Sequence, residues 1–471
     1  MLPIPENYAI YPSTVPANEP CAMTIVPKER AFLLPEGEQY DLKIISVDAD
    51  ESCYYSPTTH KNITATARAG ILTFTYRFEE EQEHIVILSK GAKALGEFHV
   101  YSLQPDLWEL VALKGDLHSH SFRSDGQRDP AALAGHYREQ GYDFFALTDH
   151  NRAYPGLEID EAYKDLDLDF PRIFGEEVHC PGSVIHIVHV GGKASVTDRY
   201  VNHREEYEKE IASYPANAPQ NIPEQYRERY GKAMWATDKI HAAGGIAIFP
   251  HPFWLPGNAR THNVSYPFAK ILLQSGMFDA YELVGAMTQP NCNLSVALWT
   301  ELRSEGHKII PVGSSDVHSI ESGRDFPNKF TLCFAQDNNS DAICNAVRKG
   351  LCVAVEATDV EYDRHYRAYG DFRLVSYAQF LLKYYFPKLQ RIAEGQGVAM
   401  RSYAMGEAPA AFVELHAEQV KAFRARFFGR MAPVLPSPEI LAFEERARER
   451  HLQGPVTKGS VIDSATVSRQ I

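Results

Sequence analysis

The chain has 471 residues, enough at roughly 150 residues per domain for more than one domain. Hydrophobic residues make up 44% and charged residues 23%, a balance that lets an ordinary globular protein bury its core. The 47 Lys and Arg stand against 61 Asp and Glu, a net charge of -14. This argues against gripping extended nucleic acid, because counterion-release binding needs a basic surface.

The first forty residues are rich in Pro and polar side chains and predict an irregular lead-in. The opening MLPIPENYAIYPSTVPANEP has neither a basic n-region nor an apolar h-region, so no secretory signal is expected. A period close to two then runs through 41–47, 70–78, 84–89 and 97–103. These segments predict an N-terminal antiparallel β domain over 1–108, of sandwich type, bounded by Gln104-Pro105-Asp106.

From Val111 the pattern becomes strand, loop, helix. Strands are expected at 111–117, 143–148, 172–178, 184–190, 245–249, 279–284 and 308–313, and helices at 130–140, 223–243, 291–304 and 340–349. Asp129-Pro130 opens the first helix as an N-cap with Pro at the first helical position. Alternating βα units predict a mainly parallel sheet, here a barrel or distorted barrel over 109–356. Residues 357–471 predict a helical extension. Leu374, Tyr377, Leu381, Tyr385 and Leu389 mark one face of a helix bent at its end by Pro387. Further helices are expected around 412–427 and 438–452, with a frayed tail from Gly454. The seven cysteines form no C-x-x-C pair, which fits a reducing cytoplasm, and no apolar run approaches a membrane span.

Histidine carries the chemical signal, with 13 of the 19 between residues 118 and 318. HSHSFRSDG places His118 and His120 two apart, on one side of an extended backbone, with Asp125 close behind. The next strands end in Asp149 and His150, in Glu176, Glu177 and His179, and in His186 and His189. GGIAIFPHP ends with His251, and KIIPVGSSDVH with Asp316 and His318. All lie at C-terminal strand ends, where βα barrels assemble their sites. Each alone reads as filler, Asp149 as a cap, and the helical His136 and His241 as structural. Together they would be costly to bury without cations. Imidazole and carboxylate without thiolate suit Zn, Mn or Fe. GGK at 191–193 is too short for a phosphate loop.

In this order the motifs HSHSFRSDG, LTDHN, GEEV, the His186 strand, GGIAIFPHP and GSSDVH resemble the PHP (polymerase and histidinol phosphatase) family across roughly residues 113–356. The resemblance implies a distorted (βα)7 barrel and two to three divalent ions. The implied ligands are His118, His120, Asp125, His150, Glu177, His186, His251, Asp316 and His318. Glu177 would bridge two ions, with His118, His120 and Asp316 on one and His186 and His251 on the other. Asp125, His150 and His318 would hold the third. His186 is preferred to His189, which shares a strand face with Ile185 and Ile187. Glu177 is preferred to Glu176 on the family's G-x-E spacing from Gly175.

A cation-bound water can have its pKa lowered from 15.7 toward roughly 7, so a metal-bridging hydroxide serves as nucleophile. Asp316, Glu177 and His318 are the residues expected at the reaction, with Asp316 accepting a proton. Arg123, Arg152, His179 and Arg260 are candidates to neutralise a phosphate. The leading expectation is a phosphoesterase on a small or nucleotide-like ester. The runner-up is a carboxylic ester, carbamate or amide hydrolase on the same centre, and the third is a metal-containing binding protein.

Overall fold

The computed structural model describes residues 6–48, 60–257, 259–360 and 363–453. The tail from Gly454, expected to fray, lies outside them. The chain divides into two compact units, one of Met1–Glu79, Glu83–Ser102 and Gly429–Ile471, the other of Glu80–Gln82 and Leu103–Phe428.

The first unit is built on an eight-stranded sheet that begins at Tyr8–Tyr11 and ends with Lys93–Leu103. Neighbours pair antiparallel from Tyr8–Tyr11 through Pro20–Pro27, Ile71–Arg77, His60–Arg68, Gln39–Ser46 and Glu83–Lys90 to Lys93–Leu103. Alternation dictates which face is buried. In Glu83–Lys90 the residues His84, Val86 and Leu88 point inward, with Val86 opposite Ile44 and Leu88 opposite Leu42 of Gln39–Ser46. Three strands, Tyr8–Tyr11, Thr14–Pro16 and Pro20–Pro27, occupy the segment read as an irregular lead-in. Its prolines among the described residues fall at strand ends or between strands, so they hide the pattern without breaking the sheet.

The second unit is mixed α/β and barrel-like. Its strands Gly245–Phe249 and Ala280–Val284 are buried at every position, as expected where both faces are covered. Parallel pairing links Val111–Asp116 to Phe144–Ala146, then Arg172–Ile173, and links Gly245–Phe249 to Ala280–Val284 to Pro311–Gly313. The expected mainly parallel sheet needs correction elsewhere. Ile187–Gly191 pairs antiparallel with both Gly175–Val178 and Gly245–Phe249, and Lys329–Ala335 pairs antiparallel with Val111–Asp116 and Cys352–Val360. The reason is local. For the first of these pairs only the stretch 179–186 joins Gly175–Val178 to Ile187–Gly191, and a parallel return needs a longer crossover.

Helix boundaries follow capping chemistry. Asn339 accepts from Ala342 N at 2.9 Å to open Ser340–Lys349, and Gly350 closes it at φ 72. The buried face of that helix, Ile343, Cys344, Ala346 and Val347, shares a core with Val188, Val190, Ile246 and Ile248. The region from 357 is helical only from Phe372 onward, because Asp363–Tyr369 first returns as a strand on Cys352–Val360. The predicted bent helix is two helices, Phe372–Tyr384 and Phe386–Ala404, with Pro387 in the first turn of the second. Proline is tolerated there because that N–H has no partner within the helix. Helix Phe386–Ala404 lies close on helix Pro130–Glu139. A Cβ at Gly397 would sit 2.3 Å from Glu139 N and 2.5 Å from Gly135 O. Beside this contact Arg138 donates to Gln396 Oε1 at 2.7 Å and to Tyr142 O at 2.7 Å.

Candidate metal centre

The barrel mouth is drawn together by backbone pairing just past the strand ends. Thr148 N donates to Ser119 O at 2.9 Å, Glu177 N to Asp149 O at 3.2 Å and Asn151 N to Glu177 O at 2.9 Å. On the other side His120 N donates to Val317 O at 3.0 Å and Asp316 N to His118 O at 2.9 Å. Extended geometry sends His118 and His120 to one side, while Ser119 turns away and donates to Ala146 O at 2.8 Å. Below them the buried Asp116 accepts from His118 N at 3.2 Å, Ser315 N at 3.1 Å and the Tyr137 hydroxyl at 2.8 Å. Burial pushes the Asp116 carboxyl up to about 6 against those hydrogen bonds.

All nine expected donors converge. Glu177 stands at the middle. Its Oε2 lies 3.4 Å from His118 Nε2, 3.5 Å from His120 Nε2 and 2.7 Å from His150 Nδ1. Its Oε1 lies 2.8 Å from His186 Nδ1 and 3.4 Å from His251 Nε2. Asp316 Oδ1 is 2.8 Å from His120 Nε2 and 3.4 Å from His118 Nε2. At the more open side Asp125 faces His150 Nε2 and His318 Nε2, each at 3.3 Å. Within this constellation, five groups of three or four side chains bring one donor atom each within 4.8 Å of one another, the spacing that could hold a metal ion.

The donor atoms pass a simple test for cations. Both Glu177 oxygens, Asp316 Oδ1, His150 Nδ1 and His186 Nδ1 are buried and make no hydrogen bond, although oppositely charged partners stand close by. Their lone pairs therefore aim at shared points and not at each other, an arrangement that is costly until something cationic occupies those points. The electrostatics agree. Burial alone would raise the Glu177 carboxyl, but His186 and His118 hold it well below the usual carboxylate range. Asp316 is likewise depressed, by His118 and His120 against its burial. Burial lowers His118, yet Asp316, Glu177 and Glu282 carry it well above its ordinary value. Burial wins at His186, pushed down to about 4.

Backbone strain marks two of the donors. His251 has φ 28 and Asp316 φ 48, both in the left-handed region that non-glycine residues avoid. Such conformations cost about 1–3 kcal/mol each and are kept where surrounding structure imposes them.

The neighbouring candidates separate cleanly. His189 Nδ1 meets Glu176 Oε1 at 2.8 Å, and Glu176 also accepts from Ser195 Oγ, Thr197 Oγ1 and Val196 N, each at 2.6 Å. This closed cluster contributes no donor to the groups above. Irregular chain holds His186, and the strand begins only at Ile187. His179, read as an anion contact, has Nε2 at 3.3 Å from Glu177 Oε1 and stacks on His186 at 3.7 Å between ring centroids, among the donors themselves. Asp149 accepts from Ser121 N at 2.8 Å, Ser121 Oγ at 2.7 Å and Ser124 Oγ at 2.6 Å, so it fixes the loop between His120 and Asp125.

A cavity of about 580 Å³ opens over the donors, with Trp254, Ala286, Val317, Ser319 and Arg324 on its wall. None of the three arginines expected to meet a phosphate lines it. Arg123 is held by both Glu158 oxygens, at 2.8 and 3.0 Å, and Arg152 donates to the carbonyls of His150 and Arg123. Arg260 is exposed away from the wall. Two residues escaped the sequence reading. Arg324 lies in a loop without periodicity. Glu282, fully buried, accepts from His118 Nδ1 at 2.9 Å, which leaves Nε2 as the free donor atom. Its signal was an ionisable residue at the centre of the apolar strand AYELV. Gly285 makes room for it, since a Cβ there would lie 2.0 Å from Glu282 Oε1.

No family profile and no curated protein matches the chain. Among solved structures it is similar to a two-domain protein from Bacteroides vulgatus described as containing a predicted PHP-like metal-dependent phosphoesterase. That likeness has 17% identity and TM-score 0.37, over 54% of this chain and 74% of the other. It is also similar to a protein of Bifidobacterium adolescentis named as a metal-dependent phosphoesterase, at 17% identity and TM-score 0.31, over 43% of this chain and 87% of that one. An amidohydrolase from Chromobacterium violaceum matches at 18% identity and TM-score 0.30, over 45% of this chain and 89% of its own. Identities and TM-scores this low give the likenesses no weight beside the side-chain geometry. No helix among the described residues is long and apolar enough to cross a membrane.

Proposed function

We propose that the chain is a metal-dependent hydrolase, that its larger unit is a distorted (βα)7 barrel, and that it cleaves a phosphate ester of a small molecule. The observation that carries the reading is Glu177. Both its oxygens are buried without a hydrogen bond, and six imidazoles stand within 2.7–3.5 Å of them. The donor set suits two to three divalent ions of the Zn, Mn or Fe type. Glu177 would bridge two of them, one shared with His118, His120 and Asp316, the other with His186 and His251. Asp125, His150 and His318 would hold a third. Such ions, when bound, supply Lewis acidity and lower the pKa of a coordinated water toward roughly 7.

The chain's own residues then orient and exclude. Asp316 stays anionic and is placed to take a hydrogen bond from the attacking water. His318 stands at the cavity wall with Nδ1 at 2.9 Å from Asp316 O, which leaves Nε2, 3.3 Å from Asp125, for the third ion. Trp254 packs 5.8 Å from His186 and 5.9 Å from His251 and shields that side from solvent. Hydrolysis of carboxylic esters, carbamates or amides is the second reading, favoured by the turning away of Arg123, Arg152 and Arg260 from the cavity. The test is elemental analysis of metal-supplemented protein, then assay on an aryl phosphate monoester, an aryl phosphodiester and an aryl carboxylic ester. Two or three ions per chain with phosphate-ester turnover are expected. Fewer than one ion would sink the metal centre, and turnover of the carboxylic ester alone would transfer the function to the second reading.

A further inference from the structure

We infer that Arg324 receives an anionic oxyacid group of the substrate apart from the scissile bond, so that the substrate is a small ester bearing at least one further carboxylate or phosphate. This rests on the hydrolase reading. Arg324 lies on the cavity wall with the donors, and its side chain is 67% exposed. It is braced. Its Nε donates to Asp325 Oδ2 at 2.7 Å, and the other oxygen of that buried carboxylate takes Lys329 Nζ at 2.8 Å. Lys329 is itself buried and also donates to Met287 O at 3.1 Å, next to Ala286 on the same wall. Asn328 N and Lys329 N both donate to Asp325 O at 2.8 Å, which closes the turn beneath.

One carboxylate thus stands between two cations, and the uncompensated charge resides on the exposed guanidinium. Among the described residues neither terminal nitrogen of Arg324 has a hydrogen-bond partner in the protein, so the planar fork that suits a carboxylate or phosphate is free. Arg324 belongs to none of the donor groups. The scissile group is met by Glu177, Asp316 and the ions they hold, which leaves the arginine for a second anion.

The experiment uses non-hydrolysable probes. Phenylphosphonate, 4-carboxyphenylphosphonate and benzene-1,4-diphosphonate are titrated calorimetrically into the full chain loaded with Mn2+, as wild type and as Arg324→Gln. Metal content is measured in parallel. Charge-assisted hydrogen bonds to one guanidinium should make the two bifunctional probes bind wild type about tenfold more tightly than phenylphosphonate. In Arg324→Gln that ratio should fall to about one with metal content unchanged. The carboxyl and phosphonate arms distinguish which oxyacid the site prefers. A wild-type ratio near one, or a ratio that survives the substitution, would overturn the proposal. Absence of turnover on all three aryl esters with the binding ratio intact and lost in Arg324→Gln would instead refute the hydrolase reading and support the anion site.

Discussion

Glu282 offers a sharp test, because its hydrogen bond goes to His118, a candidate donor, and it does not line the cavity. Its Oε2 takes the His118 Nδ1 proton at 2.9 Å, with both groups fully buried. With an ion bound, that bond would fix the tautomer in which Nε2 is the ligating atom. Partners of this kind are worth about 10–100-fold in metal affinity, or about 1.4–2.7 kcal/mol. Glu282→Gln keeps an acceptor oxygen and loses the charge, so a loss near the tenfold end is expected. Glu282→Ala removes the acceptor and leaves a buried N–H without a partner. The loss should approach a hundredfold, with an additional stability cost of about 1–3 kcal/mol. Competitive chelator titration of the EDTA-treated chain with Zn2+ reads the affinity, and thermal unfolding in EDTA reads the stability. Both variants binding as tightly as wild type would refute the argument that Glu282 prepares His118.

His186→Ala should lose at least one ion by elemental analysis. His189→Ala should keep the metal and lower stability by about 1–3 kcal/mol, since it removes one of several hydrogen bonds to the buried Glu176 carboxylate; equal metal loss in both would contradict the division between the two histidines. Gly397→Ala should lower Tm despite a helix-propensity gain of about 1 kcal/mol, because the new methyl meets the backbone of Pro130–Glu139 and overpacking costs about 1–3 kcal/mol or more. A raised Tm would show that the two helices can separate freely. His84 is pushed down to about 4 by burial, so it folds neutral while the unfolded chain titrates near 6.5. Its contribution is whole above pH 6.5 and falls away as pH drops toward 4, by about 3 kcal/mol. Amide exchange in Glu83–Lys90 of wild type and His84→Gln, measured at pH 7 and pH 5, should converge at the lower pH, and a constant gap would contradict the linkage.

The parts of this molecule that follow a period were readable from the chain, and those set by a single partner were not. Val86 and Leu88 alternate, and the Ile343, Ala346, Val347 face repeats at helical spacing, so element type followed. Most donors were readable because they follow strands, and chemistry placed at strand ends survives uncertainty in the strand itself; His186 instead precedes its strand. Pairing direction leaves no mark in a buried strand, which is why Ile187–Gly191 runs against its neighbours unannounced. His189 was assigned to an apolar face, yet it is buried by pairing with Glu176, a partner 13 residues away that hydrophobic pattern does not reveal. Glu282 looks like any interruption of an apolar run until His118, 164 residues earlier, is brought beside it.

The strands of the larger unit fall into two sheets, one holding Val111–Asp116 and the other Pro311–Gly313, and thermal opening should begin between them. The seam between them runs beside the donors: Asp316 N to His118 O and His120 N to Val317 O close it above, and Asp116 clasps Ser315 N below. On the proposed metal reading, an ion shared by His118 and Asp316 would tie the two sheets together across about two hundred positions of chain. The proposed metal centre would then also be the latch of the fold. Its occupancy should govern how long the barrel stays shut, and the unfolding rate of this unit should respond to chelation more strongly than its folding rate.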